Sequence, residues 1–143
     1  RNFSGTDTLA DDAIIDIECD IWIPAARPDV IHEGNVQRLN TRMVAQGANI
    51  PVTLAAEQLL EQRGVVILPD FIANAGGVIC ASVEYHRGSQ ADAFKQIEDK
   101  ITTNTAAMFE LTASGDLSTR EAGNTLAMTR IREAMAFRRW RRS

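Results

Sequence analysis

The stretch Met43–Leu68, MVAQGANIPVTLAAEQLLEQRGVVIL, changes hydrophobic period twice, and that change decides the fold. Its first run, Met43–Ala48 (MVAQGA), is short, apolar and closed by the turn-forming GANIP, as expected of a buried strand. A helix is predicted over Thr53–Arg63: Thr53 can cap it, Leu54, Leu59 and Leu60 give it an apolar face, and Gly64 stops it. Val65–Leu68 (VVIL) then reads as another buried strand. Working outward, Cys19–Ile23 (CDIWI), closed by Pro24, has the same form. Strands that alternate with helices predict an α/β fold with a parallel sheet.

Downstream the pattern is wholly helical. Asn74 is placed to cap a helix over Ala75–Tyr85, and Arg87, Gly88 and Ser89 break it. Ser89 and Asp92 have capping-box spacing for the next helix, where Phe94, Ile97, Ile101 and Met108 are expected to face a core. Lys95, Glu98, Asp99 and Lys100 face elsewhere. Ser114, Gly115 and Asp116 should end that helix. A second box, Ser118 with Glu121, opens a last amphipathic helix carrying Leu126, Ile131, Ala134 and Met135.

With 143 residues, 45% hydrophobic and 24% charged, the chain can build one compact core and is not grossly disordered. Its apolar stretches, such as Gly64–Leu68 and Ala73–Val83, fall short of the roughly 20 residues of a bilayer span, so no membrane partner is expected. No basic segment followed by an apolar one opens the chain, and the expected location is cytoplasmic. Cys19 and Cys80 lack CxxC spacing and are expected to be buried thiols rather than a disulfide or zinc ligands. His32 and His86 have no metal-ligand spacing around them, so no metal is assigned. Net charge is −4, yet four arginines lie in the last six residues, and the remainder carries 11 basic against 19 acidic residues. Such a body repels nucleic acid. The cluster Arg138, Arg139, Trp140, Arg141 and Arg142 suits a solvated tail or a helix C-terminus better than a phosphate contact.

In an open parallel sheet, ligands bind beyond the carboxyl ends of the strands, where loop amides and helix N-termini converge. That rule selects Pro24, Ala25 and Ala26; Gly47, Ala48 and Asn49; and Asn74, Ala75, Gly76 and Gly77. Paired glycines admit a bulky ligand close to the backbone, and each asparagine offers both a donor and an acceptor. There is no G-x-G-x-x-G turn, and neither Lys95 nor Lys100 lies near these loops.

The ordered runs CDIWIPAA (Cys19–Ala26), GANIPVT (Gly47–Thr53) and LPDFIANAGGV (Leu68–Val78) closely resemble the glutamate/leucine/phenylalanine/valine dehydrogenase family over Glu18–Leu111. The resemblance implies the second half of a Rossmann-like, mostly parallel sheet domain followed by C-terminal helices. Residues 1–143 would form a partial dinucleotide-binding domain, with strand and helix alternation over about 18–86 and return helices over about 90–142. It also implies an N-terminal substrate domain, absent from this chain, that carries the catalytic lysine and aspartate and builds a homo-oligomer. The glycine turn would precede Arg1, leaving no catalytic residue within the chain and the chain alone inactive.

The function implied is NAD- or NADP-dependent reversible oxidative deamination of an L-amino acid to a 2-oxo acid and ammonia. Ala25 and Ala26 would lie along the adenosine side of the cofactor and Asn49 at the ribose on the nicotinamide side. Asn74 would sit between nicotinamide and substrate, with Val78 as an apolar wall. Glutamate-specific members carry a serine where Ala81 stands here, so the resemblance implies a less polar substrate or a distal carboxylate read by other residues. The alternative of another class is a noncatalytic nucleotide-binding or regulatory module that keeps the sheet's ligand edge.

Overall fold

The computed structural model describes residues 13–114 and 117–139. Three parallel strands form one sheet in the order β1 (Cys19–Trp22), β2 (Thr41–Ala45), β3 (Val66–Leu68). Helix α1 (Leu54–Gln62) crosses from β2 to β3. Four further helices follow: α2 (Asp70–Ala73), α3 (Gly76–Tyr85), α4 (Gln90–Ser114) and α5 (Thr119–Arg139). The predicted parallel sheet and helical C-terminal part are therefore present, whereas between β1 and β2 the chain forms only a 3-10 turn, Val36–Arg38, and no α-helix.

Local chemistry explains the boundaries. The Thr53 hydroxyl accepts from the Ala56 amide at 3.2 Å, capping α1 as predicted, and Gly64 leaves the helix at φ +78°. Both capping boxes form. Ser89 Oγ accepts from the Asp92 amide while Asp92 Oδ2 accepts from the Ser89 amide, and Ser118 with Glu121 repeats the pattern.

Register gives the sheet two unlike faces. Trp22, Val44 and Ile67 stand side by side on one face, and Ile21, Met43 and Val66 on the other. The first row joins the main core, with Ile31, Val36, Leu39, Val52, Ala56 and Leu60 packed on it. On the second, Ile21 is 56% and Val66 42% exposed. Near Leu68 that side meets a smaller cluster of Ile72, Met108 and Ala122.

Several expectations need correction. The strands are not uniformly buried, because the described residues cover one face far more fully than the other. β2 starts at Thr41 rather than Met43, since parallel pairing opposite Cys19 recruits a polar residue whose hydroxyl donates to the Asp20 carbonyl. Asn74 does not cap α3. It ends α2, a short helix inside what reads as a turn, and Ala75 stands at the N-cap. In α1 the inner face is Ala56, Glu57 and Leu60, while Leu54 is 64% exposed. In α4 Ala93 is buried and Phe94 exposed, and in α5 Ile131, Ala134 and Met135 are exposed. Both thiols are half-buried. The predicted stop at Gly115 and Asp116, and Trp140, Arg141 and Arg142 of the basic tail, lie outside the described residues, as do the side chains of Arg138 and Arg139.

Candidate functional site

The first two selected loops leave the carboxyl ends of β1 and β2 directly, the third segment follows β3 only after α2 and runs into α3, and the structure ties all three together. The Ala48 amide donates to the Pro24 carbonyl at 2.8 Å, joining the first loop to the second. A Cβ at Gly47 would stand 3.1 Å from the Ala25 Cβ and 3.3 Å from the Ile23 Cγ2, so glycine is what permits this approach. Asn74 Nδ2 donates to Asn49 Oδ1 at 2.7 Å, joining the second loop to the third. That bond uses one polar atom of each amide and leaves Asn49 Nδ2 and Asn74 Oδ1 for a ligand.

Ala25, Ala26 and Asn49 are exposed and Asn74 is half-buried. Val78 and Ala81 follow on α3, both exposed and three residues apart, hence on one helix face. Val78 is 78% exposed, unusual for a valine. A Cβ at Gly77 would meet nothing within 4 Å, whereas one at Gly76 would lie 3.5 Å from Ile97. Of the two glycines, only Gly77 opens onto free space.

Behind the loops lies a polar cluster that motif reading misses. The Arg120 guanidinium, in the first turn of α5, holds Glu57 through two 2.6 Å hydrogen bonds and reaches Asp70 Oδ1 at 3.1 Å. It also donates to Gln46 Oε1 at 3.3 Å, and Gln46 Nε2 donates back to Glu57. Asp70 Oδ2 accepts from the Ile50 amide at 2.9 Å. Burial works against the Asp70 carboxylate, but the amides of Ile50 and Phe71 and the Arg120 charge outweigh it and lower its pKa. Hydrogen bonding to Glu57, ahead of the opposing burial, raises the Arg120 pKa further. Ile50 itself sits at φ +43°, a region costly for a β-branched residue by on the order of 1–3 kcal/mol. A signal for this cluster exists in retrospect: Glu57 lies between Ala56 and Leu60 on the inner face of α1.

The loop edge offers small exposed alanines, open space at Gly77 and two neutral amides, and the Asp70 carboxylate beside it is paired with Arg120. A larger cleft of about 760 Å³ lies elsewhere, between α1, β3, α4 and α5. None of the predicted site residues lines it, and its walls carry Glu57, Glu61 and Glu121 together with Arg120, whose guanidinium is engaged by Glu57 and Asp70. The described residues include no group of His, Cys, Asp and Glu able to hold a metal. None of the described helices is long and apolar enough to cross a membrane.

The chain belongs to the glutamate/leucine/phenylalanine/valine dehydrogenase family, whose model matches residues 2–139. The match extends the motif resemblance through the end of α5. Among its relatives, the glutamate dehydrogenase of Aeropyrum pernix is 34% identical over 137 residues, covering 89% of this chain and 33% of that protein. The NADP-specific glutamate dehydrogenase of Saccharolobus shibatae is 32% identical over 145 residues, covering 96% and 34%. The crystal structure of L-tryptophan dehydrogenase from Nostoc punctiforme superposes with a TM-score of 0.79 at 26% identity, covering 88% of this chain and 38% of that one. The fold is thus the Rossmann-type α/β fold of these dehydrogenases. The chain spans about a third of the length of the curated relatives it matches.

Proposed function

We propose that residues 1–143 are the distal part of the cofactor domain, with its return helices, of an NAD(P)-dependent amino-acid dehydrogenase. The observation that carries this reading is the joining of three strand-end loops by the Ala48–Pro24 and Asn74–Asn49 hydrogen bonds. The whole protein would be a cytoplasmic homo-oligomer that interconverts an L-amino acid with its 2-oxo acid and ammonia. Its substrate domain and glycine turn would come from polypeptide outside this chain.

A nicotinamide cofactor held at this edge would supply hydride-accepting chemistry for the amino acid's α-carbon. This chain's residues shape the edge around it. Ala25 and Ala26 leave room for the adenosine side, and Asn49 hydrogen-bonds the ribose on the nicotinamide side. Asn74 orients the ring and the substrate's main-chain groups through a neutral amide, which adds no charge beside the hydride acceptor. Val78 excludes water, and Ala81, one turn further on the same face, meets the substrate side chain. A methyl group there favours an apolar amino acid over glutamate. Among its relatives are both glutamate and tryptophan dehydrogenases.

The test is NAD⁺ and NADP⁺ reduction by the full-length protein with glutamate, leucine, valine, phenylalanine and tryptophan. Turnover with at least one is expected, and Asn74→Ala should lower kcat/KM by roughly 10-fold or more. Nucleotide binding without turnover of any amino acid would replace this reading with that of a noncatalytic module. Overwhelming preference for glutamate, unchanged by Ala81→Ser, would remove the specificity argument while leaving the class intact.

A further inference from the structure

Arg120 opens α5, yet its contacts lead back to the ligand edge. One carboxylate, Glu57, already occupies the Nε–Nη2 edge of the guanidinium with two 2.6 Å bonds. A second, Asp70, is then brought to the same cation at 3.1 Å. The side chains of Glu57 and Asp70 are only 5% and 11% exposed, so two carboxylates share one cation in a poorly hydrated place. Such an excess of negative charge is a weak means of stabilising a fold. Asp70 has a further contact that gives it a use: its other oxygen receives the Ile50 amide at 2.9 Å. Ile50 is at φ +43°, and the Asp29 amide donates to its carbonyl at 2.9 Å, so both polar groups of this strained residue are held. Asn49 is its immediate neighbour and the acceptor for Asn74.

We propose that Asp70 and Arg120 are positioning residues: through the Ile50 amide they keep the Asn49–Asn74 pair in one geometry and couple the first turn of α5 to binding at the loop edge. The ligand in question rests on the dehydrogenase reading above; the path of contacts does not. Asp70 orients the loop while the loop's own amides meet the ligand. A small displacement of those amides is enough to cost substantial rate.

The experiment places Asp70→Ala and Arg120→Lys in the full-length protein, each with and without Asn49→Ala. Asp70→Ala should lower kcat/KM for the nicotinamide cofactor roughly 10-fold in the parent background and less than about 2-fold when Asn49 is already alanine. Arg120→Lys, which keeps the charge but not the fork, should give a smaller loss with the same dependence on Asn49, and it carries the test if Asp70→Ala does not fold. A readout independent of turnover is amide hydrogen exchange in the cofactor-free protein. Exchange at Ile50 should accelerate by roughly 10-fold in Asp70→Ala while Val44 in β2 stays protected. Equal losses in both backgrounds, or unchanged Ile50 exchange, overturn the positioning role. A parent protein without dehydrogenase activity overturns the proposed function instead, and Ile50 exchange then decides the positioning role alone.

Discussion

The two faces of the sheet are built from equally apolar residues and have unequal fates. Val44 and Ile67 are 0% and 1% exposed, whereas Ile21 and Val66, in the adjoining row, are 56% and 42% exposed. Strands of a parallel sheet read as continuous apolar runs when helices cover both faces. The runs CDIWI and VVIL have that composition, yet the described residues bury only one side fully. Apolar content therefore reports what a strand is suited to touch, and register reports which contact it makes here.

The largest test of this contrast is Ile67→Ala on the covered face, expected to cost about 2–5 kcal/mol as a cavity opens among Val44, Ala56 and Leu60. Urea denaturation of the chain measures it, and a cost near that of a surface substitution would dissolve the distinction between the faces. Ile21→Ala is the counterpart. Its expected cost in the chain is within about 0.5 kcal/mol. In the full-length protein the same substitution should cost more, because polypeptide outside this chain would cover that face under the proposed reading. Equal small costs in both would mean that the face stays open.

The sequence reveals what neighbouring residues decide. Thr53, Ser89 and Ser118 mark helix starts because a capping hydroxyl needs only an amide three residues on. The three strand runs place the loops that follow them at one end of a parallel sheet through topology alone. What stayed illegible depends on partners distant in sequence. Arg120 finds Glu57 across 63 residues and Asp70 across 50, and neither spacing has a local signature. Asn74 looks like a cap in sequence, but pairing with Asn49 across the edge and the short α2 helix take it elsewhere. The apolar spacing of α5 is likewise readable as amphipathic. Whether Ile131 and Met135 are buried depends on a neighbour, and both are about half exposed here.

The smallest expected effect probes the edge of β3, where the cleft between the sheet and the helices carries Glu61. Burial pushes the Glu61 carboxyl up, only partly offset by the Thr119 amide and hydroxyl at 3.4 Å, and the charges of Glu57 and Glu121 add to the rise. A carboxyl whose pKa is higher folded than unfolded contributes stability below its unfolded value, about 4.3, and loses it as pH rises through the folded value. Asp70, with its pKa lowered, runs the opposite way: its contribution is present above the ordinary carboxylate range and lost as pH falls through the depressed value. Glu61→Gln is uncharged at every pH. Its stability relative to the parent chain should therefore improve between about pH 4 and pH 7, as read from urea midpoints at the two pH values. A gap that does not change with pH would show that Glu61 is as well hydrated folded as unfolded. A gap that widens in the full-length protein would show the cleft to be buried more deeply there, and would extend the contrast between covered and open surfaces from the strands to the sheet's edge.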